Sequence, residues 1–91
     1  MPVVQGIVAP NGVVVRADGD FEVLSKGTSK LRIQVTGQQA TTAFVLATAW
    51  RDDGDIGSSN AAISASPDPK SPDVMIFAVD EYYGVSFRIE P

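Results

Sequence analysis

Leu31-Arg32-Ile33-Gln34-Val35 alternates apolar and polar residues without a break. Val85-Ser86-Phe87-Arg88-Ile89 repeats that pattern close to the other end of the chain. Successive side chains of a strand point to opposite faces, so each stretch reads as a strand with one buried and one wet face. The flanking segments follow the same grammar. Val3–Ala9 and Val13–Arg16 bracket Pro10-Asn11-Gly12, and Asn-Gly between two apolar runs is the strongest short-range hairpin signal. Ala17-Asp18-Gly19-Asp20 is a turn, because glycine supplies a positive φ and aspartate bonds its own backbone. Phe21–Leu24 is a short third strand, and Ser25-Lys26-Gly27-Thr28-Ser29 turns the chain into the Leu31 strand.

Gly37-Gln38-Gln39 ends that strand, and Thr42–Trp50 follows with apolar residues at both parities. Alanine and leucine would tolerate a helix here. The β-branched Thr41, Thr42, Val45 and Thr48, with no capping residue, favour a strand. Arg51–Asn60 is a polar loop, and Ala61–Ala65 a weak strand. Ser66–Pro72 holds three prolines and reads as an exposed, stiff connection. Asp73–Val79 is a strong strand, also apolar at both parities, and Asp80–Tyr83 turns it at Gly84. Crossover helices for a parallel sheet have no room. The pattern predicts an all-β fold, one domain over residues 1–91. It is an antiparallel sandwich of seven or eight short strands, Ig-like or jelly-roll-like, with barrel closure as the variant.

Composition narrows the chemistry. The 91 residues include no histidine and no cysteine. Ser-His-Asp and Cys-His catalysis are therefore absent, as are the usual zinc sites. No glycine-rich phosphate loop occurs. A net charge of −4 disfavours a phosphate-binding face, so no nucleic-acid partner is expected. No apolar run approaches 18 residues, and Met1-Pro2-Val3-Val4-Gln5-Gly6 lacks the basic start of a signal peptide. The chain reads as non-enzymatic, without a cofactor and without membrane insertion.

Three groups of residues are weighed as sites. Asp18, Asp20 and Glu22 carry oxygens suited to calcium, and so do Asp52, Asp53 and Asp55. Neither group has the alternating acids and closing glutamate of a calcium loop, and both are explained by turn formation. Arg16–Asp20 and Arg51–Asp55 echo one another, a coincidence of turn chemistry rather than a duplicated domain. Trp50, Tyr82 and Tyr83, with Asp52, Asp53 and Asp55, would suit a carbohydrate-binding module; the competing reading is that the aromatics close the core. Phe21, Phe44, Phe77 and Phe87 fall in strands and are assigned to core or interface. The two-sided apolar strands Thr42–Trp50 and Val74–Val79 exceed what a two-layer sandwich buries. Their second faces therefore predict contact with another subunit, a trimer or other homo-oligomer.

Several motifs occur in a characteristic order: Gly6-Ile7-Val8, Asn11-Gly12-Val13-Val14, Phe21-Glu22-Val23, Gly27-Thr28 and Leu31–Val35. Ala43–Ala49, Pro72–Asp80, Gly84 and Val85–Ile89 complete them. In that order and spacing the whole chain resembles a small β domain of bacteriophage tail fibres and of related bacterial collagen-like or secreted surface proteins. The resemblance implies a β-sandwich, often multimeric, at a fibre end or surface, without catalytic residues. The implied location is a virion or the cell exterior. The implied roles are fibre tip, capsid decoration or surface-assembly part, with other surface proteins or glycans as further partners.

Overall fold

The computed structural model describes residues 3–36, 42–51 and 63–90. Eight strands follow one another: β1 (Val4–Val8), β2 (Val14–Asp18), β3 (Phe21–Lys26), β4 (Lys30–Val35), β5 (Phe44–Trp50), β6 (Ser64–Asp68), β7 (Ser71–Ala78) and β8 (Gly84–Glu90). They build two four-stranded antiparallel sheets, ordered β2-β1-β8-β5 and β3-β4-β7-β6. The hairpins β1–β2, β3–β4 and β6–β7 each stay in one sheet, and the other connections cross between sheets. Among the described residues no strand of one sheet pairs with the other, so the fold is a sandwich and not a closed barrel.

The first hairpin forms as its residues dictate. Ala9 donates its N–H to the Val13 carbonyl at 2.8 Å, and Gly12 donates to the Ala9 carbonyl at 2.9 Å. Gly12 stands at φ +87°, the left-handed conformation that a three-residue hairpin loop requires at its last position. The Asn11 side chain adds its own restraint, accepting from the Val13 N–H at 3.1 Å. Gly19 takes the expected positive φ, +99°, but the turn is shorter than Ala17–Asp20: Ala17 and Asp18 pair with β1 as the end of β2, leaving Gly19 and Asp20 to reverse the chain. Asp80 makes the corresponding Asx turn before β8, its carboxylate accepting from the Tyr82 N–H at 3.0 Å.

The core lies between the sheets. Val4, Val8, Val85, Phe87 and Ile89 of the first sheet face Leu31, Ile33, Val35, Met75 and Phe77 of the second, all buried. Phe87 is the hub. Its ring meets Phe21 edge-on at 5.1 Å between centroids and Phe77 at 5.4 Å, distances at which aromatic pairs attract beyond their buried area. The alternation in Leu31–Val35 and Val85–Ile89 therefore names the core residues of both central strands.

One expectation is corrected and two are narrowed. The segment Ser66–Pro72 is not a free connection: Ser66, Pro67 and Asp68 lie in β6 and Ser71 and Pro72 in β7, leaving Pro69 and Lys70 to turn. Pro67 is compatible with this because β6 is an edge strand, where a missing N–H breaks no ladder on the open side, and Pro72 because it precedes the stretch of β7 that pairs with β4, Val74–Ala78. Next, the second face of β7 is partly covered from within the chain, with Ile76 half-buried and Pro72 and Ala78 exposed. Val74 is buried although it stands at the outward parity, opposite Gln34. Arg32 reaches across β7 to the Asp68 carboxylate on β6 at 2.8 Å, and Gln34 donates to Asp73 at 2.7 Å. The stems of these side chains roof the strand. Finally, of the four phenylalanines assigned to core or interface, Phe44 lies outside the core, 75% exposed. The predicted break at 37–39, the loop at 52–60 and residues 61 and 62 of the weak strand lie outside the described residues.

The roof over β7 has a pH signature. The Lys70 N–H and the Arg32 guanidinium hold the Asp68 carboxyl below the ordinary aspartate value of 3.8. A carboxylate with a depressed folded pKa contributes stability above its unfolded value and loses it as pH falls through the folded value. Asp68→Asn should therefore lower the melting temperature at neutral pH. The gap to the parent should close progressively below about pH 5. Parallel melting curves across that range would show that the Asp68 charge takes no part.

Candidate functional site

The outer face of the first sheet carries Phe44 and Leu46, the two most exposed large apolar side chains among the described residues. Strand register sets its rows. Asp18, Gln5, Arg88 and Leu46 stand side by side across β2-β1-β8-β5, and Arg16, Ile7, Ser86 and Thr48 form the next row. Glu90 and Phe44 are paired beyond the first row, and Gly84 and Trp50 beyond the second. Ser86 is the small residue among larger ones, so the face dips on either side of it. One shallow depression of about 240 Å³ is lined by Gln5, Ile7, Arg16, Asp18 and Ser86. A second of about 220 Å³ is lined by Gln5, Leu46, Thr48, Ser86 and Arg88. Both fall short of the roughly 300–1,000 Å³ of an enclosing small-molecule pocket.

The charges on this face pair along their own strands. Arg16 lies 3.5 Å from Asp18, and Arg88 lies 2.7 Å from Glu90. Residues two apart in a strand share a face, which is why both pairs can form. The ion pairs leave the β5 side of the face apolar. Phe44 and Leu46, 75% and 71% exposed, stand there with no charged residue on their strand.

The aromatic candidates fall at one end of the sandwich. Trp50 closes β5 opposite Gly84, and Tyr82 and Tyr83 occupy the turn immediately before Gly84. Their surroundings differ. Tyr82 is 65% exposed, whereas Tyr83 packs against the core with the Arg51 guanidinium 5.4 Å above its ring. Trp50 is half-buried. The backbone thus brings Trp50 and both tyrosines together. Asp52, Asp53 and Asp55 lie outside the described residues.

The calcium candidates do not converge. Asp18 ends β2 in the first sheet and is paired with Arg16, Asp20 sits in the corner, and Glu22 lies on β3 in the second sheet opposite Gln34. Among the described residues no three acids are grouped to hold a metal ion. No helix of the described residues is long and apolar enough to cross a membrane. What sequence reading missed is which strands form the edges. The signal was the even parity of Phe44, Leu46, Thr48 and Trp50 beside an equally apolar odd parity, but periodicity alone does not say that the strand has a free side.

The chain matches no protein-family model, no curated protein and no solved structure.

Proposed function

We propose that this protein is a non-enzymatic interaction module that assembles with copies of itself. Its setting is a virion or a bacterial surface, as a fibre tip, decoration or surface-assembly part. The observation that carries the reading is the exposed apolar pair Phe44 and Leu46 on β5. Soluble domains seldom leave large apolar side chains adjacent on an otherwise ion-paired face unless a partner covers them. The succession of strand and turn motifs that resembles the tail-fibre domains supports the setting. Surfaces of this kind act by shape and burial, which fits a chain lacking histidine and cysteine.

Light scattering over a range of concentrations tests the reading. The parent chain should run at a multiple of its 9.6 kDa mass. Burying a phenylalanine or leucine side chain contributes about 1.5–3 kcal/mol. The double variant Phe44→Ser, Leu46→Ser should therefore weaken association about a hundredfold or more while keeping its fold. A parent that stays monomeric at every concentration would refute self-assembly.

A further inference from the structure

The sandwich has four edge strands, β2 and β5 in one sheet and β3 and β6 in the other. An edge exposes unpaired N–H and C=O groups and will accept another strand unless something prevents it. Three of the four edges carry such a device. β2 bears Arg16 and Asp18, and its pairing with β1 slips at Ile7/Val8. β3 bears Glu22 and Lys26, with a register shift between Val23 and Ser25. β6 contains Pro67 and Asp68, with a shift between them. Bulges, prolines and charges are the means by which sheet edges are kept from pairing.

β5 has none of these. Phe44-Val45-Leu46-Ala47-Thr48-Ala49-Trp50 contains no charge, no proline and no glycine, and runs in unbroken register with β8 over seven residues. Among the described residues no strand pairs with its other side. We infer that β5 is a strand-pairing edge whose occupant is β5 of a second copy, antiparallel about a two-fold axis through Ala47. This rests on the self-assembly proposed above and specifies its geometry.

The strand is complementary to itself in that arrangement. Centring on Ala47 sets Phe44 opposite Trp50 and Leu46 opposite Thr48 on the outer face, twice each. Val45 meets Ala49, and Ala47 meets Ala47, on the inner face. Cross-strand aromatic pairs are among the favourable pairs of antiparallel sheets. The two exposed apolar residues then face partners in a continuous eight-stranded sheet. Pairing β5 with any other edge would require a bulged, charged or proline-bearing strand, and such a heterologous joint leaves open ends that propagate. The two-fold joint closes at a dimer.

The chain has no cysteine, so one introduced thiol reports the contact unambiguously. Across the proposed axis the two Ala47 Cα atoms would stand about 4.5 or 5.5 Å apart, according to the hydrogen-bond parity. Both lie within the roughly 4.4–6.8 Å span of a disulfide. Under mild oxidation Ala47→Cys should convert predominantly to a covalent dimer, twice the 9.6 kDa chain. Thr28→Cys, in the exposed β3–β4 turn, should remain monomeric on a reducing-agent-free gel. As a check without substitution, half of the β5 amides of the parent should exchange more slowly as concentration rises. A parent that self-associates without Ala47 cross-linking and without β5 protection overturns this geometry and leaves self-assembly standing. Open-ended growth in place of a dimer also overturns it. A monomeric parent overturns both.

Discussion

Replacing Gly84 with alanine should cost about 3 kcal/mol or more, the upper end for forcing extra atoms into a packed site. Gly84 begins β8 opposite Trp50, and on its other side the backbone of β1 leaves no space. A Cβ there would drive into the Val8 carbonyl oxygen and come within 2.9 Å of the Val8 and Ala9 carbonyl carbons. All three are backbone atoms of the last residue of β1 and the residue after it, so relief requires separating β8 from β1. A loss of that size is a large part of the 5–15 kcal/mol that holds a typical domain together. It should lower the melting temperature by about 12 °C or more, at roughly 4–8 °C per kcal/mol in a domain of this size. Ser86→Ala, two residues along the same face, should move stability by no more than about 0.5 kcal/mol. Urea titration of both variants checks the argument. An unchanged midpoint for Gly84→Ala would mean that β8 does not begin against Val8 and Ala9.

Phe87→Ala should cost about 3–5 kcal/mol, the range for removing a large aromatic side chain from a core. Phe87 is the residue through which both layers communicate: it packs on Phe21 and Phe77, both from the second sheet, while it stands in the first. Its removal empties space that neither ring can fill without leaving its own contacts. Phe44→Ala should be nearly neutral in the isolated chain, since three-quarters of that residue is already in solvent. The contrast between two phenylalanines in adjacent strands of one sheet is the useful measurement. Equal losses at both positions would place Phe44 in the core and remove the basis for an exposed assembly surface.

The candidate surface was half legible in the sequence. Thr42–Trp50 and Val74–Val79 read alike, as strands apolar at both parities, and both were assigned a subunit contact. The structure separates them. β7 is central, and the side chains of Arg32 and Gln34, anchored by Asp68 and Asp73, lie along the part of its outer side where Val74 is buried. β5 is an edge, and among the described residues nothing comparable covers Phe44 or Leu46, 75% and 71% exposed. Arg32 and Asp68 are 36 residues apart in the chain. No local pattern announces that they will meet across an intervening strand. The prolines of Ser66–Pro72 are accommodated for the same reason: Pro67 lies in the edge strand β6, Pro69 in the turn, and Pro72 at the start of β7 before its ladder with β4 begins at Val74, and these positions are properties of the assembled sheet.

Alternation in Leu31–Val35 and Val85–Ile89 determined by itself that the chain is built of strands and which of their side chains are buried. The turn residues around Asn11–Gly12, Gly19 and Asp80 determined where the chain reverses, because these are effects of neighbouring residues on backbone conformation, while β2 runs to Asp18, two residues beyond the expected end at Arg16. Strand order was decided only in the folded molecule. Which strands stand at the edges, and that among the described residues β5 is the edge without bulge, charge or proline, follow from contacts between segments far apart in sequence. Those contacts are chosen by the packing of two whole sheets, and the period of a single strand carries no record of its neighbour.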